Sequence, residues 1–171
     1  MKLSNKTLSK LIKGACYFEI KDGYLSSYRF SKTQIEHISQ NKCDKDWLTY
    51  ALMSGPQRIE FKTSSTEISF DYKASKSHAN NTIDLYIDNV LYSVYHINDT
   101  LKGKVEFFLP QGQKMVSIYM PCESTVQIKN FTINGGYKSV KKSEKKVLII
   151  GDSITQGAGP EVASLAYADA L

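Results

Sequence analysis

The sequence has few cysteines and no long apolar run. Its three cysteines, Cys16, Cys43 and Cys122, are far apart and form no Cys-x-x-Cys pair, which argues against a disulfide framework and a cysteine zinc site. Residues 1–14 carry no apolar run of signal-peptide length, and no later stretch approaches a membrane span. We therefore predict a cytoplasmic protein with reduced thiols and no membrane partner.

The charge is mildly basic, and the lysines and arginines form no long stripe with aromatic residues. The chain has 22 Lys and Arg against 17 Asp and Glu, a net charge of +5. Without a basic and aromatic stripe we expect no nucleic-acid partner. Five of the lysines lie within 138–146, a block that favours a solvated linker over an anion-binding patch.

Residues 15–133 have the pattern of β-structure almost throughout. Residues 58–62 and 68–72 alternate apolar and polar side chains, as strands with one buried face do. Turn residues separate the strands, which predicts a mostly β fold, an antiparallel β-sandwich. The predicted strands are 15–20, 24–30, 47–53, 58–62, 68–72, 83–88, 90–95, 105–109, 115–120 and 126–133.

Three smaller features fit this sandwich. Ser31 and Gln34 have the spacing of a capping box, which predicts a short helix over 32–39 with His37 on its surface. The tyrosines lie mostly in alternating strands, which favours cross-strand packing over a sugar-stacking platform. The aspartates at 84, 88 and 99 lack the spacing of an EF-hand calcium loop, and we interpret them as turn and solvent-face residues.

A polar motif near the carboxyl end stands out from the rest. Four apolar β-formers at 147–150 lead into Gly-Asp-Ser-Ile-Thr-Gln-Gly, and the Ala- and Leu-rich stretch 161–171 has the composition of a helix. This order predicts a buried strand followed directly by a helix, with a serine at their junction whose hydroxyl is exposed. The candidate site residues are Gly151, Asp152, Ser153, Thr155, Gln156 and Gly157.

Other glycine-loop motifs do not match these residues. A phosphate-binding loop needs a lysine after its second glycine, and a dinucleotide fold needs Gly-x-Gly-x-x-Gly; neither is present. The nucleophile elbow Gly-x-Ser-x-Gly also fails, because Thr155 stands at its second glycine. One structural interpretation stays open, in which Gly151 to Ser153 form only a turn and Ser153 or Thr155 caps a helix.

The motif resembles block I of the SGNH (GDSL-type) hydrolases, in which Gly-Asp-Ser is followed by Thr-x-Gly. The resemblance implies that Ser153 is the nucleophile and that its backbone N–H is one oxyanion-hole donor. It implies that Asp152 and Thr155 shape the loop, and that no metal or cofactor is required. Acyl transfer of this kind also needs a base that takes the proton from the serine.

The preceding part, residues 14–137, resembles the β-sandwich that precedes the SGNH domain in two-domain acetylxylan esterases of carbohydrate-esterase family two. The resemblance implies a jelly-roll-like accessory domain over 1–137, a lysine-rich linker over 138–146 and the start of an α/β/α hydrolase domain over 147–171. The matching pieces include Tyr17-Phe18-Glu19, Tyr28-Arg29-Phe30, Arg58-Ile59-Glu60-Phe61, Asp84-Leu85-Tyr86-Ile87-Asp88 and Ile118-Tyr119-Met120-Pro121.

The base of that family, an Asp-x-x-His pair downstream of the serine, has no counterpart in these 171 residues. His37, His78 and His96 lie upstream, and none has an aspartate three residues before it. We therefore expect an accessory domain plus the opening of a truncated catalytic domain, inactive alone. A lone apolar strand at 147–150 would be an exposed edge. We expect 145–171 to be poorly ordered, packed on the sandwich or paired with another copy.

The function that these resemblances imply is that of a serine esterase removing acetyl or short acyl groups. The expected partner is an acylated carbohydrate or another small ester, and a lipase- or thioesterase-like activity on a non-sugar ester stays open. An alternative from another class is a non-catalytic carbohydrate-binding or protein-interaction sandwich. An oligomer formed through the exposed carboxyl-terminal strand is a further expectation.

Overall fold

The computed structural model describes the chain in six stretches, residues 1–40, 46–76, 81–97, 101–141, 151–159 and 161–166. Its helices are α1 (Asn5–Leu11), α2 (Lys32–Gln40), α3 (Asp46–Leu52) and the one-turn α4 (Ser153–Gln156), with a 3-10 turn at Ala163–Leu165. Its strands are β1 (Ile12–Lys13), β2 (Tyr17–Lys21), β3 (Tyr24–Tyr28), β4 (Arg58–Thr63), β5 (Glu67–Ala74), β6 (Thr82–Ile87), β7 (Val90–His96), β8 (Lys102–Phe108), β9 (Lys114–Tyr119), β10 (Val126–Ile133) and β11 (Tyr137–Ser139). No helix in these stretches is long and apolar enough to cross a membrane.

The strands form two antiparallel sheets, which confirms the predicted β-sandwich. One sheet has the order β1-β4-β9-β6-β7, with β11 also paired to β4. The other has the order β2-β3-β10-β5-β8. The first sheet includes β11, which extends beyond residue 137 to Ser139. It therefore contains the first residues of the stretch 138–146 that we predicted as a linker. The division into domains stays a prediction.

Two tight hairpin turns form where the sequence predicts them. Asp22 and Gly23 connect β2 to β3 with φ values of 52° and 79°. Asp88 and Asn89 connect β6 to β7 with φ values of 50° and 66°. Two consecutive residues at positive φ are the geometry of a type I′ turn, whose twist matches that of the flanking strands. These turns set the register of both hairpins.

The core lies between the two sheets and is made of alternating strand residues. Phe131 of β10 stacks on Phe70 at 5.5 Å between ring centroids and meets Phe61 edge-on at 6.1 Å. All three are almost fully buried. Apolar burial on this scale is the main force that holds a sandwich together.

The amino-terminal helix α1 has no counterpart among the predicted elements. The Ser4 side chain caps it by accepting a hydrogen bond from the Thr7 N–H at 3.1 Å. Leu8 and Leu11, three residues apart and therefore on one face, are buried. The helix thus closes part of the core.

The capping box is confirmed. The Ser31 N–H donates to Oε1 of Gln34 at 2.9 Å, and the Gln34 N–H donates to Oγ of Ser31 at 3.3 Å. The helix α2 follows, with His37 on its exposed side. The reciprocal bonds satisfy two of the N–H groups that a helix start leaves unpaired.

The predicted strand at 47–53 is wrong, because these residues form helix α3. A short apolar run cannot be assigned to strand or helix from its periodicity alone. Here the distant Arg29 favours the helix: its Nη2 donates to the Tyr50 carbonyl at 2.5 Å. That carbonyl lies in the last turn of α3 and also accepts the Met53 N–H at 3.3 Å, so Arg29 adds a second partner at the helix end. The contact is tertiary, so the local sequence does not reveal it.

Several predictions fall outside the described residues. They concern the thiol of Cys43, the histidine at 78, the aspartate at 99, most of the lysine-rich stretch and the apolar strand 147–150.

Candidate functional site

Ser153 is the first residue of α4 and is exposed. Asp152 is the N-cap of this helix, and its Oδ1 accepts a hydrogen bond from the Ile154 N–H at 3.0 Å. The helix cap is therefore Asp152, and it is neither Ser153 nor Thr155. Within the described stretches, neither the hydroxyl nor the backbone N–H of Ser153 has a hydrogen-bond partner. Both groups are free to meet a ligand.

The glycine before the serine is explained by the position of Thr155. A Cβ atom at Gly151 would lie 2.1 Å from Oγ1 of Thr155 and 2.7 Å from its Cβ. Real Cβ atoms do not approach other atoms so closely, so any other residue at 151 would displace Thr155. The Gly-Asp-Ser-x-Thr spacing is thus a packing requirement of this loop.

The end of α4 is set by Gly157. This residue has a φ of 107°, which favours glycine, and is the left-handed C-cap of the helix. The Ser153 carbonyl accepts hydrogen bonds from the Gly157 N–H at 3.1 Å and the Ala158 N–H at 2.8 Å. A Cβ at Gly157 would lie 2.8 Å from both Sγ of Cys122 and Cβ of Ala166. The turn therefore rests directly on Cys122, which lies between β9 and β10.

The next residues continue along the sandwich and bond to β6. The Ala163 N–H donates to Oγ1 of Thr82 at 2.9 Å, and the Ser164 N–H donates to Oδ2 of Asp84 at 2.7 Å. The Tyr86 hydroxyl donates to Oγ of Ser164 at 3.1 Å. Of the three outcomes expected for 145–171, the described part of that stretch shows packing on the sandwich.

Two further predictions for this region are corrected. The stretch 161–171 was expected to be a helix, but 163–165 form a 3-10 turn, because their N–H groups bond to β6 as well as to the local chain. Asp84 was interpreted as a solvent-face residue, yet it is 0% exposed. Its burial comes from the Ser164 contact, which the sequence around Asp84 does not reveal.

No base accompanies Ser153 in the described residues. His37 lies on the surface of α2 and His96 on the exposed end of β7. Neither forms a hydrogen bond with the Ser153 hydroxyl. An unactivated serine hydroxyl is a weak nucleophile, and among the described residues none is placed to accept the proton of Ser153.

One surface cavity of the described residues lies away from Ser153. It has a volume of about 340 Å³, is lined by Thr7, Lys10, Leu11, Lys13 and Tyr137 among others, and lies between α1 and β11. None of the residues around Ser153 lines it. The described residues also contain no group of three or more His, Cys, Asp or Glu placed to hold a metal ion.

Comparison of the sequence with known proteins gives no match. No protein-family model matches the chain, and no curated protein matches it.

Comparison of the fold gives clear matches. The chain superposes on a GDSL-like lipase from Bacteroides ovatus with a TM-score of 0.72 and 17% identity, covering 100% of this chain and 52% of that one. It superposes on the salicylyl-acyltransferase SsfX3 of a tetracycline biosynthetic pathway with a TM-score of 0.66 and 15% identity, covering 77% and 39%. A family-two carbohydrate esterase from Clostridium thermocellum, solved with cellohexaose, gives a TM-score of 0.58 and 19% identity, covering 93% and 46%.

These matches show that the chain has the fold of the matched parts of a GDSL-like lipase, an acyltransferase and a family-two carbohydrate esterase. The chain spans between about two fifths and about a half of the length of these solved structures. The fold alone does not assign a substrate to the chain.

Proposed function

We propose that this chain is part of a serine esterase that hydrolyses acetyl or other short acyl esters on carbohydrate. The observation that carries the proposal is the geometry of the 151–157 loop. Ser153 opens a capped helical turn, its hydroxyl and its N–H have no hydrogen-bond partner among the residues that the structure describes, and Gly151 is required by the packing of Thr155. The reaction forms a bond between Ser153 Oγ and the acyl carbon and releases the alcohol, and water then frees the acid.

The matched folds support the chemistry and the substrate class. Their names include a lipase, an acyltransferase and a carbohydrate esterase, all of which move an acyl group. The esterase solved with cellohexaose favours a carbohydrate for this chain too. A non-sugar ester is the competing substrate class.

We infer that the 171 residues alone have negligible turnover, because no Asp-x-x-His pair follows Ser153. Without a base the hydroxyl proton has no acceptor, and a neutral serine attacks esters slowly. An active form needs the remaining groups of the site from elsewhere. The proposal therefore concerns the whole protein, of which Ser153 is the nucleophile.

The test is hydrolysis of an aryl acetate and of an acetylated xylo-oligosaccharide by the full-length protein and its Ser153→Ala variant. We expect kcat to fall by at least roughly a thousandfold, since removal of a nucleophile removes the covalent route. The matched control is Ser39→Ala in α2, an exposed serine whose hydroxyl donates to the Glu36 carbonyl within its own helix. Equal rates for the wild type and Ser153→Ala would end the esterase proposal.

A second candidate, a carbohydrate-binding sandwich without catalysis, is favoured by one observation. Trp47 and Tyr50 of α3 are three residues apart and exposed, Trp47 to 62%. Exposed aromatic rings on one helix face can stack on sugar rings. If Ser153→Ala has no effect on ester hydrolysis, the result favours the carbohydrate-binding function over the esterase function.

A further inference from the structure

The outward face of β6 is polar and yet buried. Ile83 and Leu85 point into the core, whereas Thr82, Asp84 and Tyr86 alternate with them on the opposite face. Such a face is normally wet, but Thr82 and Asp84 are fully buried. We call Thr82, Asp84, Tyr86 and Cys122 the docking face, and we call residues 151–159 and 161–166 the serine segment. The serine segment is what covers the docking face.

The contacts are made to backbone atoms and are therefore directional. Thr82 and Asp84 each accept one N–H of the serine segment, from Ala163 and Ser164. The Cys122 thiol donates to the Ala163 carbonyl at 3.3 Å. Backbone groups have fixed positions along the chain, so these bonds hold the segment in one register.

Asp84 serves this contact in particular. Its Oδ2 accepts the Ser164 N–H, and its Oδ1 has no hydrogen-bond partner in the described part of the chain. A buried carboxyl group with one open oxygen is costly to keep. Residues retained at such a cost generally have a function beyond stability. Within the described residues, the hydrogen bond that the Asp84 side chain makes is to the serine segment.

The docking face is linked to Ser153 through Gly157. The Gly157 turn packs against Cys122, and its N–H bonds to the Ser153 carbonyl. A shift of the segment on β6 would therefore move the start of α4. Displacements of about 1 Å at a reacting group lower rates strongly.

We propose that the docking face positions the nucleophile, with Asp84 and Tyr86 as positioning residues. The sandwich is then a working part of the acyl-transfer site. The catalytic role of Ser153 rests on the proposed function. The docking of the serine segment on β6 does not, and it can be tested without an ester substrate.

The reporter is the Cys122 thiol, which is buried against Ala163 and Ala166. In a Cys16→Ser/Cys43→Ser background, the rate of its reaction with a disulfide reagent such as DTNB measures release of the segment. Thiolate access governs this reaction. We expect strong protection in this parent protein. A rate equal to that of an unfolded control would overturn the proposal.

Tyr86→Phe removes only the hydroxyl that contacts Ser164 and retains the ring. We expect Cys122 to react roughly threefold to tenfold faster, the effect of one lost hydrogen bond on a local opening equilibrium. Tyr92→Phe is the matched control, since Tyr92 lies on the adjacent strand and is exposed. Equal rates for Tyr86→Phe and the parent would contradict the proposal.

Asp84→Ala should give a larger increase than Tyr86→Phe, and Asp84→Asn should restore most of the protection. Asn keeps an oxygen that can accept the Ser164 N–H, so this rescue separates positioning from mere loss of volume. Equal Cys122 rates for Asp84→Ala and Asp84→Asn would contradict the proposal.

Ser164→Ala, made outside the sandwich, keeps the test valid if Asp84→Ala does not fold. Combined with Tyr86→Phe, it should not raise the Cys122 reaction rate further, because both substitutions remove the same hydrogen bond. Additive effects would show that the contact does not exist.

A failure of the esterase proposal would leave these thiol rates unchanged. If the esterase proposal holds, Tyr86→Phe in the full-length protein should lower kcat and leave KM unchanged. A change in KM alone would overturn the positioning role.

Discussion

The sandwich and the serine segment are held in place by different means. The sandwich buries large aromatic and branched side chains between its sheets, with Phe61, Phe70 and Phe131 in mutual contact. The serine segment shares only a small cluster with it, formed by Cys122, Ala163 and Ala166, and otherwise relies on single hydrogen bonds. The free energy of apolar burial scales with the buried area and has no preferred direction. The single hydrogen bonds of the serine segment are individually weak but directional.

This difference assigns separate tasks to the two regions. Apolar burial supplies stability, of the order of 25 cal/mol per Å² of buried apolar surface. Close approach of small residues and bonds to backbone N–H groups supply position. The rate of attack by a serine depends on the precise position of its hydroxyl. A weak but directional attachment of the serine segment can supply that position.

The sharpest test of this contrast is Phe131→Ala. Phe131 is almost fully buried between two other rings, and removal of such a ring costs about 3 to 5 kcal/mol of the free energy of unfolding. Urea unfolding followed by circular dichroism measures this loss. We expect the Cys122 thiol to become reactive at the urea concentration at which the sandwich of this variant unfolds, because the described part of the serine segment has no core of its own.

The control is Phe108→Ala. Phe108 is 72% exposed at the end of β8, and its loss should change the free energy of unfolding by no more than about 0.5 kcal/mol. A Phe131→Ala variant as stable as the Phe108→Ala variant would contradict the assignment of the core.

Gly157→Ala should loosen the serine segment and spare the sandwich. Alanine at a φ of 107° is strained, and its Cβ would meet Sγ of Cys122 and Ala166. We expect a local cost of about 1 to 3 kcal/mol, seen as faster reaction of Cys122 with DTNB at an unchanged urea midpoint.

Gly159→Ala is the matched control for that packing. Gly159 also has a positive φ, 96°, but a Cβ there would meet nothing within 4 Å. The difference between the two variants measures the close contacts of position 157 with Cys122 and Ala166. Equal Cys122 rates would mean that the Gly157 turn does not rest on the sandwich.

The strands were predictable from the sequence because their signals are local. Alternation at 58–62 and 68–72 and the turn residues Asp22 and Asp88 depend only on neighbours along the chain. The Gly-Asp-Ser motif was readable for the same reason, since Gly151 and Thr155 are close in sequence and in space.

The contacts that position the site were not predictable, because they join distant residues. Helix α3 is capped by Arg29, about twenty residues before its end. Asp84 is buried by Ser164, which lies 80 residues away along the chain. The one available signal was Asp84, a polar residue between Ile83 and Leu85, which we interpreted as a solvent-face residue. A polar face indicates an exposed or a covered surface equally well, and only the fold decides.

The smallest expected effect concerns pH and the sandwich alone. Burial, together with the hydrogen bond that the Tyr95 hydroxyl donates to Tyr72, raises the pKa of Tyr95 to about 12, against about 10 in an unfolded chain. Between these values the folded state retains a proton that the unfolded state loses, so stability falls as the pH rises through this window. The urea midpoint should therefore decrease between about pH 9 and about pH 11, and the decrease should be smaller in Tyr95→Phe than in the exposed-ring control Tyr92→Phe. Identical decreases in the two variants would show that Tyr95 ionises as freely in the folded protein as in the unfolded chain.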